Sequence, residues 1–244
     1  NFTIMSNVRR YHKQTIVTYQ RLTSSSCCTW VNCYIFPDNI SFPSSTGFTV
    51  SMWVKSPWSD SRRVFIEINN GTGSGNTHSQ RYALSCNKSN SDIKFFTEGG
   101  DLGSHTFVNY QPDYTALTNE WVFITGTADF DSYKLYINGE LVAENTNVSP
   151  SDFILSSSGN SRIGGDVYQS YIDDYTGLMD EVSIWSTALT QSQIQSYMTT
   201  PPMGNESGLV GYWDFNEGIG STVTDQTSNG NDGTIYGATW SDDS

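Results

Sequence analysis

Basic residues are scarce in this sequence. Only 12 residues are lysine or arginine, against 25 aspartate and glutamate residues, which gives a net charge of −13 at pH 7. A strongly acidic surface repels phosphate backbones and anionic lipid, so the composition argues against nucleic-acid partners and membrane surfaces. The surplus carboxylates suit a hard cation such as Ca²⁺, although many acidic proteins carry such charge only for solubility.

Cysteine and long apolar runs are also rare. The four cysteines, Cys27, Cys28, Cys33 and Cys86, form no Cys-x-x-Cys pattern, which disfavours zinc and thioredoxin-like chemistry. A disulfide between adjacent Cys27 and Cys28 would be too strained to form, and bridges from this cluster to Cys86 are plausible in an oxidising compartment.

No apolar run approaches 18 residues, which argues against membrane insertion, and no secretory signal is visible at the start. A secreted protein would therefore carry this sequence as its processed form.

Motifs that carry enzymatic chemistry are missing as well. A glycoside hydrolase needs two carboxyl groups roughly 5–10 Å apart, but the sequence has no Glu-x-Asp-x-Glu or Glu-x-Asp-x-x-Glu run. Asp180 and Glu181 are adjacent, so on a regular strand they would face opposite sides of the sheet. Neither a Gly-x-Ser-x-Gly nucleophile turn nor a Gly-x-x-x-x-Gly-Lys phosphate loop is present. We therefore expect a protein without catalytic activity.

The dominant pattern in what is present is an alternation with a period of two residues. Phe48–Lys55 has an apolar side chain at every second position, with Thr49, Ser51, Trp53 and Lys55 between them. Such alternation is typical of a β-strand with one face in a core. The same reasoning predicts further strands at Arg62–Ile68, Arg81–Cys86, Ile93–Phe96, Trp121–Ala128, Tyr133–Ile137, Glu140–Glu144, Ser161–Gly164 and Leu178–Trp185.

Local turn and capping signals complete the prediction of the fold. Asn138-Gly139 separates two predicted strands and indicates a hairpin, because its type I′ turn needs positive φ at both positions. Only Thr190–Met198 is predicted to be helical, since Thr190 and Gln193 have the spacing of a capping box. Many short strands with one short helix near residues 190–198 predict an all-β protein built as an antiparallel two-sheet sandwich.

The chain divides into three parts. Residues 1–33 form an N-terminal segment with little pattern, which leaves room for early strands, and residues 34–200 carry the strand pattern. Residues 201–244 hold a strand–loop–strand pattern, Gly208–Trp240, that is too short to bury its own apolar face. This last segment completes the sandwich, begins a following repeat, or adds strands to a neighbouring chain; we expect the first.

Three stretches, in this order, resemble the laminin-G-like and concanavalin-A-like lectin domains. Phe48–Lys55 resembles their first core strand, and Trp121–Asn145 resembles their paired hairpin, with its Lys-Leu-Tyr-Ile-Asn-Gly-Glu-Leu-Val turn. Gly177–Thr190 resembles the passage from a strand into the helix. The resemblance implies a jelly-roll of two curved sheets that binds sugars, proteins or polymers, often with Ca²⁺. In one departure, Gly208–Trp240 resembles the stretch that opens such a module, yet here it closes the chain.

Asp180 is the first candidate metal ligand. By alternation it shares a face with Val182 and Ile184, which would point it toward the core, where a carboxylate without a partner is costly. The resemblance implies that this aspartate supports a Ca²⁺ ion together with backbone carbonyl groups of an early strand. Asp173 and Asp174 of the nearby acidic loop are further candidate calcium ligands. The alternative for Asp180 is that it caps backbone amides where the strand begins.

Candidate ligand-binding residues lie in the same loop and on the first core strand. Asp166, Tyr168 and Tyr171 combine an acid with aromatic rings, which suits sugar hydroxyl groups and ring stacking, although a solvated loop also explains them. Trp53 lies on the polar face of its strand and would offer an indole for stacking. The alternative for Trp53 is a ring half-buried under a loop, since tryptophan is usually largely buried.

A second group of oxygen-bearing side chains lies near the end of the chain, at Asp225, Asn229, Asn231 and Asp232. Their short spacing resembles that of calcium loops, but the closing glutamate of an EF-hand is missing. Asx turns, in which such side chains bond their own backbone, explain the composition as well.

These expectations define a secreted, non-catalytic binding or adhesion module that acts outside the cell or at its surface. It would recognise glycans or cell-surface proteins with calcium support. A first alternative is a structural repeat or subunit of an extracellular filament or surface assembly, whose partners are neighbouring copies. A second alternative is a glycoside hydrolase-like sandwich, which the missing acid pair disfavours.

Overall fold

The structure of the chain is a computed structural model, which describes residues 15–17, 34–37, 40, 47–56, 58, 63–69, 81–87, 92–98, 105–148, 161–165 and 175–241. These residues form sixteen strands and two helices. The strands are β1 (Thr15–Val17), β2 (Tyr34–Pro37), β3 (Gly47–Lys55), β4 (Arg63–Asn69), β5 (Arg81–Asn87), β6 (Asp92–Glu98), β7 (His105–Tyr110), β8 (Trp121–Asp129), β9 (Tyr133–Ile137), β10 (Glu140–Asn145), β11 (Ser161–Ile163), β12 (Leu178–Trp185), β13 (Leu209–Trp213), β14 (Thr222–Val223), β15 (Gly233–Tyr236) and β16 (Thr239–Ser241). The helices are α1 (Tyr114–Leu117) and α2 (Gln191–Thr199).

The strands pair into two antiparallel sheets. Sheet A has the order β10-β9-β8-β3-β12-β1-β16, with β13 also beside β12, and sheet B has the order β14-β15-β2-β11-β4-β5-β6-β7. This arrangement confirms the predicted all-β, antiparallel two-sheet jelly-roll sandwich. The Asn138-Gly139 turn is also confirmed, since both residues have positive φ, at 50° and 76°.

The main core lies between the two sheets and follows from the alternation in the sequence. Phe48, Val50, Met52 and Val54 all point inward from β3, and each is at most 1% exposed. From the opposite sheet, Phe95 stacks on Phe48 with ring centroids 6.2 Å apart. Burying one such side chain contributes about 1.5–3 kcal/mol to stability, so this alternation selects the sandwich.

Helix α2 forms for the local reasons that predicted it. The side chain of Thr190 accepts from the backbone N–H of Gln193, and the Gln193 side chain accepts from the backbone N–H of Thr190, which completes the capping box. The expectation of a single helix was wrong, because α1 adds one further helical turn. Asp113 caps it by accepting a hydrogen bond from the backbone N–H of Thr115.

A second apolar cluster covers the outer face of sheet A, the face turned away from the main core. Helix α2 packs there with Ile194, Tyr197 and Met198, and the Tyr197 ring lies 4.9 Å from that of Trp185. We call this group the helix-side cluster; its buried members are Trp53, Phe123, Tyr136, Trp185, Leu189, Ile194, Leu209 and Tyr212.

The segment from Leu209 to Ser241 contributes strands to both sheets. Its β13 pairs with β12, β15 pairs with β2, and β16 pairs with β1. Trp213, Phe215 and Val223 anchor the segment in the main core with no exposed surface. In this structure the closing segment therefore lies within the sandwich of its own chain.

Candidate functional site

Most of the site residues predicted from the sequence lie outside the described residues. This group comprises Asp166, Tyr168, Tyr171, Asp173 and Asp174. Their proposed roles in calcium and ligand binding stay predictions. The cysteines Cys27, Cys28 and Cys33 also lie outside the described residues.

Cys86 is a free, buried cysteine in the structure, without the bridge that the sequence left open. Its side chain points from β5 into the main core and is 6% exposed. Burial raises the pKa of this thiol to about 12. A thiol that stays protonated is a poor nucleophile, so Cys86 serves packing.

Asp180 is fully buried, but on the opposite face of sheet A from the one expected. It pairs in register with Trp53 of β3 and shares that residue's outer face, whereas Val182 and Ile184 point into the main core. A β-bulge between Asp180 and Ser183 causes the change of face. At the bulge, Glu181 has a φ of 53°, which adds one residue and shifts the alternation.

The bulge also brings both acids, which a regular strand would separate, into the surroundings of the Tyr212 phenol. The Glu181 side chain accepts a hydrogen bond at Oε2 from the phenol of Tyr212, a member of the helix-side cluster. Burial, and then the charges of Glu181 and other nearby acids including Asp180, raise the pKa of Tyr212 far above its usual value. The sequence-based argument that Asp180 and Glu181 face opposite sides was therefore wrong, because it assumed a regular strand.

Trp53 does not offer the exposed indole on which the stacking role depended. It is 6% exposed and packs on Phe123 with ring centroids 5.1 Å apart, within the helix-side cluster. The alternation correctly placed Trp53 on the outer face. It could not show that helix α2, which follows some 140 positions later in the chain, covers that face.

Asp225 organises the closing segment through backbone and side-chain hydrogen bonds. Its Oδ1 accepts from the N–H groups of Tyr212 and Thr227, and its Oδ2 accepts from Thr227 Oγ1 and the N–H of Asn231, at 2.8–3.0 Å. Asp232 in turn accepts from the N–H of Asp225. Of the two interpretations of this loop, the observed contacts favour Asx-type backbone bonding.

The outer face of sheet B differs from that of sheet A. At its β7 edge, Phe107 is 40% exposed, and Lys94 lies over its ring with Nζ 4.0 Å from the centroid. Further toward the middle of this face, Glu67 and Arg162 occupy opposite positions on β4 and β11 and are 0% and 7% exposed. This face is therefore accessible at the β6–β7 edge and also at β15, where Tyr236 is 48% exposed.

The donor set around Asp180 fits part of a calcium site. Asp180 and Glu181 are consecutive buried acids, at 0% and 7% exposure, and burying charge of one sign favours a cation nearby. Asp180 Oδ1 already accepts from the N–H of Glu181. Ca²⁺ takes six to eight oxygen ligands, and the described residues bring together no group of three or more His, Cys, Asp or Glu side chains suited to a metal. Further ligands would have to come from elsewhere in the chain.

The sheet order, the helix-covered outer face and the buried core together define a lectin-type jelly-roll sandwich. The chain belongs to the concanavalin A-like lectin/glucanases superfamily, because the laminin G family model of that description matches residues 32–195. No curated protein matches the chain in sequence. Neither helix in the described part of the chain is long and apolar enough to cross a membrane.

Solved structures with the same fold include proteins of several kinds. A protein from Bacteroides ovatus ATCC 8483 with a proposed role in carbohydrate binding is 18% identical, with a TM-score of 0.64 over 94% of this chain. This chain spans only 60% of the length of that protein. The heptameric SAP-like pentraxin of Limulus polyphemus is 14% identical, with a TM-score of 0.58 over 86% of this chain and 90% of its own.

A third similar structure is the CBM40 domain of the Ruminococcus gnavus IT-sialidase, bound to alpha2,3 sialyllactose. It is 14% identical, with a TM-score of 0.51 over 67% of this chain and 93% of its own. At these identities the similarity establishes the fold alone.

Proposed function

We propose that this chain is a non-catalytic glycan-binding module. The observation that carries the proposal is the difference between the two outer faces. Helix α2 packs on an apolar cluster on the outer face of sheet A, whereas sheet B exposes an aromatic ring beside a cation at its β6–β7 edge. Aromatic surface next to a few fixed polar groups suits sugars, which combine apolar ring faces with hydroxyl groups. The carbohydrate-related structures with the same fold support this choice of ligand.

The buried state of the acid pair supports binding over hydrolysis. Asp180 and Glu181 are the two acids of β12, and both are shielded from solvent. A hydrolase needs two carboxyl groups that flank an accessible glycosidic bond. The superfamily also includes glucanases, so release of reducing ends from a neutral polysaccharide by the purified chain would contradict this part of the proposal.

An extracellular or cell-surface location forms part of the same proposal. The family match is of the laminin G type, and the mouse laminin alpha1 chain, domains LG4-5, has a similar fold. Modules of this kind with weak individual sites gain useful strength when several act together. Adhesion to a glycan-coated or protein-coated surface is the role that these features suit.

Calcium support at Asp180 is a further element. The ion would be held by Asp180 and Glu181, with Asp173 and Asp174 of the acidic loop as additional ligands. When bound, it would neutralise the buried charges and fix the loop beside β12. The test is thermal unfolding in calcium and in excess EDTA, for the wild-type chain and for Asp180→Asn.

A calcium-dependent rise in Tm that Asp180→Asn removes would support the site. Asp131→Asn is the matched control, because this exposed acid lies in the turn between β8 and β9. Equal Tm values for the wild-type chain in calcium and in EDTA would contradict the calcium proposal.

Glycan binding itself is tested with the folded full chain displayed multivalently on a glycan array, in calcium and again in EDTA. We expect binding to a defined class of glycans. A blank array in both conditions, from protein with a cooperative unfolding transition, would contradict the proposed function.

A structural role in an assembly is the second candidate, and the open edge of the sandwich favours it. The edge strands β14 and β16 both belong to the closing segment, and residues 204–244 contain no lysine or arginine to discourage strand addition. Light scattering after size-exclusion chromatography distinguishes the two candidates. A concentration-dependent oligomer with no glycan binding would favour the assembly.

A further inference from the structure

The outer surface of the β6–β7 ribbon presents a ring, a cation and an amide side by side. The antiparallel register places Phe96 opposite Phe107, and Lys94 opposite Asn109. All four point away from the main core, because the residues between them, such as Phe95, point into it. Side chains on the same face of paired strands lie within contact distance of their neighbours. The ribbon therefore forms one continuous amphipathic surface.

Phe107 is the exposed ring of this surface. It is 40% exposed, whereas Phe96 opposite it is 7% exposed. Lys94 lies over both rings, with Nζ 4.0 Å from the Phe107 centroid and 5.3 Å from that of Phe96. The Phe107 carbonyl accepts a hydrogen bond of 2.7 Å from Nδ2 of Asn145, which ties this edge strand to the end of β10. A ring on a fixed backbone loses little entropy when a ligand covers it.

Polar groups flank this ring on the same ribbon. Asn109 is exposed, and its Nδ2 donates to Oδ2 of Asp92 at 3.3 Å. Asp92 is 6% exposed, and its other oxygen, Oδ1, is buried without a hydrogen-bond partner. Buried carboxylate oxygens normally have a donor. The ribbon thus combines donors, at Lys94 and Asn109, with an acceptor that a hydroxyl group or a water would satisfy.

Charge decides which class of sugar this surface suits. The positive charge of Lys94 is offset by Asp92, two positions earlier on the same strand, and the whole chain has a net charge of −13. A surface without net local positive charge, on a strongly acidic protein, disfavours carboxylated and sulfated sugars. A neutral sugar meets no such repulsion.

We propose that the β6–β7 ribbon binds a neutral saccharide, whose apolar face stacks on Phe107 while its hydroxyl groups meet Lys94 and Asn109. This inference rests on the proposed glycan-binding function and assigns its site and ligand class. Stacking on an aromatic ring is worth about 0.5–1.5 kcal/mol, which corresponds to a change in affinity of about twofold to tenfold. Weak binding of this size is detectable when the chain is displayed multivalently.

The test compares variants of the full chain on an array that contains both neutral and acidic glycans. Phe107→Ala removes the ring, Phe107→Trp keeps a ring, and Phe130→Ala is the matched control. Phe130 is similarly exposed, at 45%, but lies in the turn between β8 and β9 of sheet A. Each variant is first shown to unfold cooperatively, and the affinity for the strongest glycan is then measured by titration.

We expect the wild-type chain to bind neutral glycans. Phe107→Ala should weaken this binding by about twofold to tenfold, whereas Phe107→Trp and Phe130→Ala should leave it unchanged. Binding by the wild-type chain that Phe107→Ala leaves unchanged would overturn the site and leave the proposed function standing. Binding confined to acidic glycans would overturn the ligand class. Failure of the folded wild-type chain to bind any glycan would overturn the proposed function itself, and the site with it.

Discussion

The phenol of Tyr212 donates a hydrogen bond to Oε2 of Glu181 and so joins the closing segment to the bulge of β12. Tyr212 lies on β13 and Glu181 on β12, and both are buried, at 4% and 7% exposure. A hydrogen bond from a neutral donor to a buried carboxylate is stronger than one between neutral groups. This contact holds the segment in the sandwich at the point where the regular strand pairing of β12 is interrupted.

Replacing Tyr212 with Phe should destabilise the chain by about 1.5–3 kcal/mol, the usual contribution of a hydrogen bond to a charged group. The ring remains in the helix-side cluster, so the change isolates the hydroxyl group. Urea unfolding gives the free energy of unfolding. Tyr236→Phe is the control, because Tyr236 is 48% exposed and should change stability by less than about 0.5 kcal/mol. Equal stability of Tyr212→Phe and wild type would contradict the role given to this bond.

Asp225→Ala should destabilise the chain by about 3 kcal/mol or more, because the carboxylate accepts from four donors within the closing segment. Asp225→Asn retains one side-chain oxygen as an acceptor and should lose less. Thermal unfolding without calcium and with calcium separates this role from metal binding. An effect of Asp225→Ala that appears only when calcium is present would favour the calcium-loop interpretation instead.

Gly126 lies on β8 directly beneath the Phe95 ring. A Cβ at this position would lie 2.5 Å from two ring atoms of Phe95. Gly126→Ala should therefore destabilise the chain by about 1–3 kcal/mol through overpacking. Adding Phe95→Leu to Gly126→Ala makes room for the methyl group. We expect the double variant to be more stable than the sum of the two single effects implies, and strict additivity would contradict the steric explanation.

Local patterns were enough to predict much of the fold. The inward face of β3, the Asn138-Gly139 turn and the capping box of α2 depend only on residues close in sequence, so the sequence alone indicated them. Strand β7 was missed because neither of its faces is uniform: the inward face holds polar Thr106 as well as apolar Val108, and the outward face holds apolar Phe107 as well as polar Asn109. A pattern that assigns apolar residues to the core and polar residues to the surface cannot recognise a strand with both kinds on each face.

The candidate site was harder to predict, because it depends on contacts between distant parts of the chain. The face of Asp180 changes at a bulge where β12 pairs with both β3 and β13, and no short window of sequence contains all three strands. The burial of Trp53 depends in the same way on α2. Lys94 and Phe107 belong to different strands, and only the register of β6 with β7 brings the cation over the ring.

The buried thiol of Cys86 should make stability depend on alkaline pH. Its pKa is about 12 in the folded chain, chiefly through burial, and about 8.5 in the unfolded chain. Because the pKa of Cys86 is higher in the folded chain, the folded chain holds the thiol proton more tightly than the unfolded chain does. The contribution of this group to the free energy of unfolding is therefore fully present below about pH 8.5. It is lost as the pH rises toward 12, by up to about 1.4 kcal/mol per pH unit. Urea unfolding between pH 7 and 10.5 should therefore show a shallower alkaline decline for Cys86→Ala than for wild type. The variant lacks the buried thiol, and it also lacks the Cys86 charge that helps to raise the pKa of Tyr114 and Tyr175. Parallel declines would show that Cys86 is accessible to water in the folded chain.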